Sequence, residues 1–253
     1  MHKLSESVSL QDICAWDFSY CFHQLFMSII YPLTHFSLAL SEWILIGWAI
    51  YRWRQSTSLA MIILPIVLAS ISYDNFILSI GSLFGEGDVL KTLSVIRFLL
   101  HYLVVPLFIV IGVELAHRAG AGWANNVVRI LSWVIALGLS AIDIANNYIG
   151  LELVPVHFMG ILRYHVANLS GPPIITIVVN LFVLLIAIGI WIRQKWWWLF
   201  VGTLVALVGN AIPVSLVGTL AGSTSEFLMA ICLLVTENFS SGMPQLSIQG
   251  KCI

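Results

Sequence analysis

Apolar stretches long enough to cross a bilayer alternate along this chain with short polar breaks. The stretches lie at roughly 25–50, 58–83, 94–116, 127–149, 173–193, 197–220 and 224–240. Each reaches the about 17–25 residues that a helix needs to span a hydrocarbon core about 30 Å thick. The breaks "RWRQST", "GEGDVLK", "HRAGAGWANN", "RQKWWW" and "AGSTS" carry Gly, charge or Trp. The pattern predicts an all-α polytopic membrane bundle of about seven helices over 25–240, with tails at 1–24 and 241–253. One connection is long, residues 150–172. Its apolar and aromatic content predicts a segment that lies on the membrane surface or caps the bundle.

Composition changes this picture little. The chain is 60% hydrophobic and 9% charged, where a soluble domain carries roughly a quarter charged residues. The partner implied is the lipid bilayer. A net charge of −1 gives no basic field for nucleic acid. The first residues, "MHKLSESVSLQDICAWD", lack the apolar core of a cleavable signal. Cys14 and Cys21 are free thiols of the tail, or a pair if it faces an oxidising compartment.

With seven spans, Arg52, Arg54, Arg118, Arg129, Arg193, Lys195 and Lys251 share one side. Lys3, Lys91, Arg97 and Arg163 share the other. Cytoplasmic ends collect Lys and Arg, so the N-terminus is expected outside and the C-terminus inside. Trp196, Trp197 and Trp198 then form an inner interfacial belt beside Lys195.

The polar residues inside the spans are the informative ones. Asp74 and Asn75 fall in the outer half of span two. Arg97 and His101 sit four residues apart on span three, hence on one face. Span four ends "SAIDIANNY", with Ser140, Asp143, Asn146 and Asn147 on one side at helical spacing. His35, Asn180, Asn210 and Glu226 fall at similar depth. A charged side chain at the bilayer centre costs about 2.5–3.5 kcal/mol on insertion scales, so these groups are expected to face inward. Arg97 is the natural counter-charge for Asp74 or Asp143. The expected catalytic groups are Asp74, His101 and Asp143. Asn75, Arg97, Asn146, Asn147, Asn180, Asn210 and Glu226 are expected to bind a hydrophobic small molecule or lipid. The bland alternative is a hydrogen-bond network that only fixes helix register. On span one, Ser28, Tyr31, His35 and Glu42 share a face. Glu42, Glu114 and Glu237 either continue a polar track inward or cap and snorkel near the boundary.

Several chemistries lack their residues. No "HExxH", no Cys pair at metal spacing, no Walker A loop and no "GxGxxG" is present, so no metal or cofactor is expected. The last span has no Lys for a retinal Schiff base. Gly138-Leu139-Ser140-Ala141 matches a rhomboid-type serine motif only in part. The size, the short-looped spans and the inward-facing acids resemble the integral-membrane terpene cyclases in architecture. That resemblance implies acid–base chemistry on an isoprenoid-like substrate. A small proton-coupled carrier and a non-catalytic scaffold are the competing expectations.

Overall fold

The computed structural model describes residues 18–167 and 173–242, with side chains described for 25–167 and 173–241. Six helical stretches among them are long and apolar enough to cross a membrane. They are Leu25–Ser56, Ala60–Phe84, Asp88–Arg118, Asn126–Tyr148, Ile174–Gln194 and Leu220–Ser241. They form a multi-pass helical bundle. Large apolar side chains such as Ile44, Leu83, Val127 and Leu185 are exposed on its outer faces. Such a surface suits lipid and would aggregate in water. The helices are α1 (Phe18–Ser56), α2 (Ala60–Phe84), α3 (Asp88–Val104), α4 (Leu107–Arg118), α5 (Asn126–Asp143), α6 (Ile174–Gln194), α7 (Trp198–Ala211), α8 (Val214–Val217) and α9 (Leu220–Gly242). Helix α1 therefore starts inside the tail expected at 1–24, and α9 runs just past the expected boundary at 240. The possible Cys14–Cys21 pair lies outside the residues whose side chains are described.

Three spans depart from regular helix, each for a local reason. Pro106 cannot donate a backbone hydrogen bond, and it separates α3 from α4. The chain tightens there, with the Phe108 N–H on the Val105 carbonyl and the Ile109 N–H on the Pro106 carbonyl, both 3.1 Å. Span four ends in a π-helical turn, Ile144–Tyr148, closed by the Ile149 N–H on the Ile144 carbonyl at 3.1 Å. The widened turn leaves Asn146 exposed, while Ser140 and Asp143 are buried. The expected helix over 197–220 is interrupted. Ile212 is extended (ψ 128°) before Pro213, and the four-residue α8 ends at Gly218 with φ 69°. Helix α7 has 14 residues, about 21 Å at 1.5 Å per residue, which is less than the hydrocarbon thickness.

The long loop caps the bundle as a β-hairpin, so the helical fold carries one small sheet. Strands β1 (Leu153–Phe158) and β2 (Ile161–Val166) pair antiparallel, with Phe158 opposite Ile161. Met159 (φ 44°) and Gly160 (φ 81°) make the two-residue turn with both residues at positive φ, as tight hairpins require. Leu162 and Tyr164 pack with Ile77 and Leu90 of α2 and α3. Ser82 accepts from the Leu162 N–H at 2.8 Å and donates to the Gly160 carbonyl at 2.5 Å. Close approach is needed at the seat. A Cβ on Gly81 would overlap the Leu162 carbonyl oxygen, and one on Gly160 would overlap the Ser28 backbone.

The opposite end of the bundle is tied by ion pairs. Arg118 Nε lies 3.0 Å from Glu237 Oε1, and Arg129 Nε lies 2.7 Å from Glu114 Oε1. Arg118 also donates to the Ser56 carbonyl (3.3 Å) and to Ser241 Oγ (3.2 Å). It thereby joins the last turns of α1, α4 and α9. Trp196 stacks on Phe239 at 4.1 Å and donates to Thr236 Oγ1 at 3.0 Å. These bonds hold the start of α7 beside the end of α9.

The hairpin seat gives the first prediction. Gly81→Ala should lower the thermal unfolding midpoint in detergent, by an overpacking cost of about 1–3 kcal/mol. Gly47→Ala, with nothing within 4 Å of the added Cβ, should leave it unchanged or slightly raised. Equal midpoints for the two variants would contradict the seat.

Candidate functional site

Between the hairpin and the apolar core lies a cavity of about 220 Å³. The hairpin supplies Arg163 and His165, and α3 supplies Arg97, Phe98, His101 and Tyr102. Asp74 comes from α2, Asn210 from α7 and Glu226 from α9. The irregular stretches line it as well. Val104 and Val105 precede Pro106, while Ile212, Val214, Gly218 and Thr219 come from the interrupted sixth segment. Non-helical backbone at membrane depth is tolerated where it borders a cavity or packs in protein, and the breaks in the third and sixth expected spans both do so.

The charged pair expected from the sequence is present. Arg97 is buried and Asp74 is partly open to the cavity; Arg97 Nε lies 3.2 Å from Asp74 Oδ1. The approach is not aligned as a hydrogen bond, so the attraction is chiefly coulombic. Arg97 Nη2 donates to the Tyr164 carbonyl at 3.2 Å, and its guanidinium lies 4.7 Å from the Phe98 ring centroid. One arginine thus joins α2, α3 and the hairpin. His101, one turn on, presents Nε2 to Thr176 Oγ1 at 3.5 Å.

Glu226 is buried in the same wall, and among the described residues no cation lies within 4.0 Å of it. Asn210 is its polar side-chain neighbour, although the buried Asn210 Nδ2 makes no hydrogen bond within 3.5 Å. Arg163 also lines the cavity, half-buried, with no ion pair among the described residues. Burial, and then the like charge of Arg97, lower its guanidinium from the ordinary value. An arginine starts high enough to stay cationic near neutrality.

Other expected site residues lie outside this wall. Asn75 sits behind Asp74 in a fully buried chain. Its Nδ2 donates to Glu42 Oε1 at 2.9 Å, and its Oδ1 faces His35 Nδ1 at 2.7 Å. His35 Nε2 reaches Thr219 Oγ1, a cavity residue, at 3.0 Å. With Asn75 donating to Glu42, its Oδ1 must accept from His35, which puts the imidazole proton on Nδ1. The sequence grouped His35 and Glu42 on one face but did not join them through Asn75. Asp143 accepts from Asn147 Nδ2 at 2.6 Å and exerts its charge on His101 and Tyr102 without lining the cavity. Asn180 is buried with its Nδ2 unpartnered, one turn beyond Thr176. Asn146 is exposed on the π turn.

Arg163 and His165 were not among the expected site residues, because 150–172 read as an undivided loop. The signal that finds them is the alternation in "ILRYHV". Leu162, Tyr164 and Val166 are buried, and 163 and 165 share the other face. Glu114 and Glu237 do not line the cavity, and each is held by an arginine. Between Glu226 and Glu237 on α9, Met229, Ala230, Leu233 and Leu234 are buried and apolar. Among the described residues no group of three His, Cys, Asp or Glu is placed to hold a metal ion.

No protein-family model, curated protein or solved structure shows a significant match to this chain.

The ion pair gives a second prediction. Asp74→Asn should destabilise the protein, towards or below the low end of the about 3–5 kcal/mol seen for breaking buried pairs, because Asp74 is part-exposed. Adding Arg97→Gln should recover much of the loss. A four-member thermal-unfolding cycle with no coupling would contradict the pairing.

Proposed function

We propose that this protein is a membrane-embedded acid–base enzyme acting on a lipid or isoprenoid-like substrate held in the cavity. The observation that carries the reading is the unequal treatment of two carboxyl groups in one mainly apolar space. Asp74 sits against Arg97, and Glu226 has no cation. Carboxyls in contrasting environments divide acid and base work between them. Glu226 serves as the proton donor to an alkene or epoxide of the substrate. Asp74, set against Arg97, stabilises the positive charge that develops. The ring faces of Phe98 and Tyr102 assist. His101 takes the proton back, oriented by Thr176 and under the charge of Asp143. The hairpin keeps water away from the cation.

The competing readings fit less well. A carrier needs a polar route onward, and Glu114 and Glu237 are occupied by Arg129 and Arg118 beyond an apolar layer. A scaffold needs no cavity, and it would not leave Glu226 without a cation and Arg163 without an anion around one.

For orientation, we place the Arg52, Arg118, Arg129 and Arg193 end in the cytoplasm and the cavity in the outer half. Helix α7 returns the chain to the cavity level, so α9 ends on the side opposite the N-terminus. A reporter after Lys251 should read cytoplasmic and one at Met1 extracytoplasmic; both on one side would contradict this topology.

The functional test is metabolite and lipid profiling of a strain lacking the protein. Wild type should restore a missing isoprenoid-derived product. Glu226→Gln and Asp74→Asn/Arg97→Gln should be folded and reduce it by at least about 100-fold, the scale of a lost general acid or base. Full restoration by both variants would remove the enzymatic reading.

A further inference from the structure

The cavity has a second chamber beside it, and the two together suggest the kind of molecule they accept. An apolar groove of about 650 Å³ runs along the outer, lipid-facing side of α7 and α9. Leu204, Val205, Val208, Leu220 and Leu228 line it. Gly209 and Ile212 border both the groove and the polar cavity. They sit where α7 gives way to the extended residues before α8. Gly209 packs against Ser225 so closely that a Cβ there would collide with the Ser225 side chain. That contact closes the seam between α7 and α9 at Gly209, and Ile212, just past the end of α7, is the side chain common to both chambers.

The polar cavity also holds two cations and one partnered anion. Arg97 spends Nε on Asp74 and one Nη2 hydrogen on the Tyr164 carbonyl. Arg163 makes neither a hydrogen bond nor an ion pair among the described residues, although it is half-buried and faces the cavity. Guanidinium groups without acceptors are fitted to bind oxyanions, through paired N–H donors.

Resting on the reading of the cavity as an isoprenoid site, we propose that the substrate is amphipathic. An anionic oxyacid head binds Arg163 and the free edge of Arg97, and an apolar chain passes Ile212, beyond the end of α7, into the groove along α7 and α9. The head would enter a site already built for it. The chain would stay in contact with lipid, so loading from the bilayer would need no fully aqueous path. Arg163 is thus a binding residue, separate from the proton-handling pair.

The test uses full-length protein in nanodiscs, with farnesyl phosphate, farnesol, dimethylallyl phosphate and inorganic phosphate as probes in a thermal-shift titration. Farnesyl phosphate should bind at least about tenfold tighter than farnesol, as expected for a charge-assisted hydrogen bond. Inorganic phosphate should bind weakest. Arg163→Gln should remove that preference. It should not disturb folding, because the side chain holds nothing in place, and Arg163→Lys should restore part of the preference. Val208→Trp with Leu228→Trp, which fills the groove, should weaken farnesyl phosphate and leave dimethylallyl phosphate unchanged. Equal binding of farnesol and farnesyl phosphate overturns the head-group site and leaves the isoprenoid cavity standing. Inorganic phosphate binding as tightly as farnesyl phosphate overturns the proposal by reducing the site to one for free anions. If neither farnesyl compound binds, both the head-group site and the isoprenoid reading fall.

Discussion

The Arg97 guanidinium cannot face lipid, and much of the cavity end of the molecule is arranged around that constraint. A guanidinium at this depth needs an opposite charge and acceptors from its neighbours. Asp74 supplies the charge from α2, and the Tyr164 carbonyl supplies an acceptor from the hairpin. Meeting both demands fixes α3 against α2 and draws β2 over the bundle. Once β2 is seated, its alternation sends Leu162 and Tyr164 into an apolar cluster and Arg163 and His165 into the cavity. One buried cation therefore connects the cap, the cavity and the pairing of two spans.

The cavity exists because two spans are interrupted beside it. Pro106 and Pro213 each remove a backbone donor at its wall, and the short α7 leaves the remaining depth to an irregular stretch ending at Gly218. Tyr31 closes that stretch, donating to the Val217 carbonyl at 3.1 Å and accepting from the Leu220 N–H at 3.0 Å. Hydrocarbon offers no hydrogen bonds to loose backbone, so such stretches persist only where protein or a polar space receives them. The opposite end is tied by ion pairs. There Arg118 and Arg129 pair with Glu237 and Glu114 and leave an apolar core. The polar chemistry is concentrated towards one end of the bundle.

Much of this was legible in the sequence. Six of the seven expected spans followed from hydropathy alone. The Asp74–Arg97 pairing followed from depth, because a costly cation has few possible partners. The four-residue spacing of Arg97 and His101 placed both in one wall. Other features were hidden for physical reasons. Residues 197–220 are apolar throughout, so only Pro213 marks the break, and a proline alone is compatible with a kinked span. Asn146 left the expected face because a π turn changes the angular spacing, which no composition signals. The hairpin was masked by its own apolar content. Its Met-Gly turn and alternating "ILRYHV" were present, but membrane-surface segments share that composition. The chain from Glu42 through Asn75 to His35 was invisible because it joins two helices through one amide.

The most direct test of the central claim, that these groups line one enclosed space at one end of the bundle, is thiol accessibility. In a background lacking native cysteines, single cysteines replace Thr176 and Ser223 in the cavity wall, and Leu68 and Leu233 in the core. A small methanethiosulfonate reagent is added to intact proteoliposomes. Thr176→Cys and Ser223→Cys should both react, and an alkyl phosphate ligand should slow both. Leu68→Cys and Leu233→Cys should stay unreactive until the protein unfolds. Reaction at only one of the two wall positions, or equal reaction at the core positions, would contradict a single shared cavity.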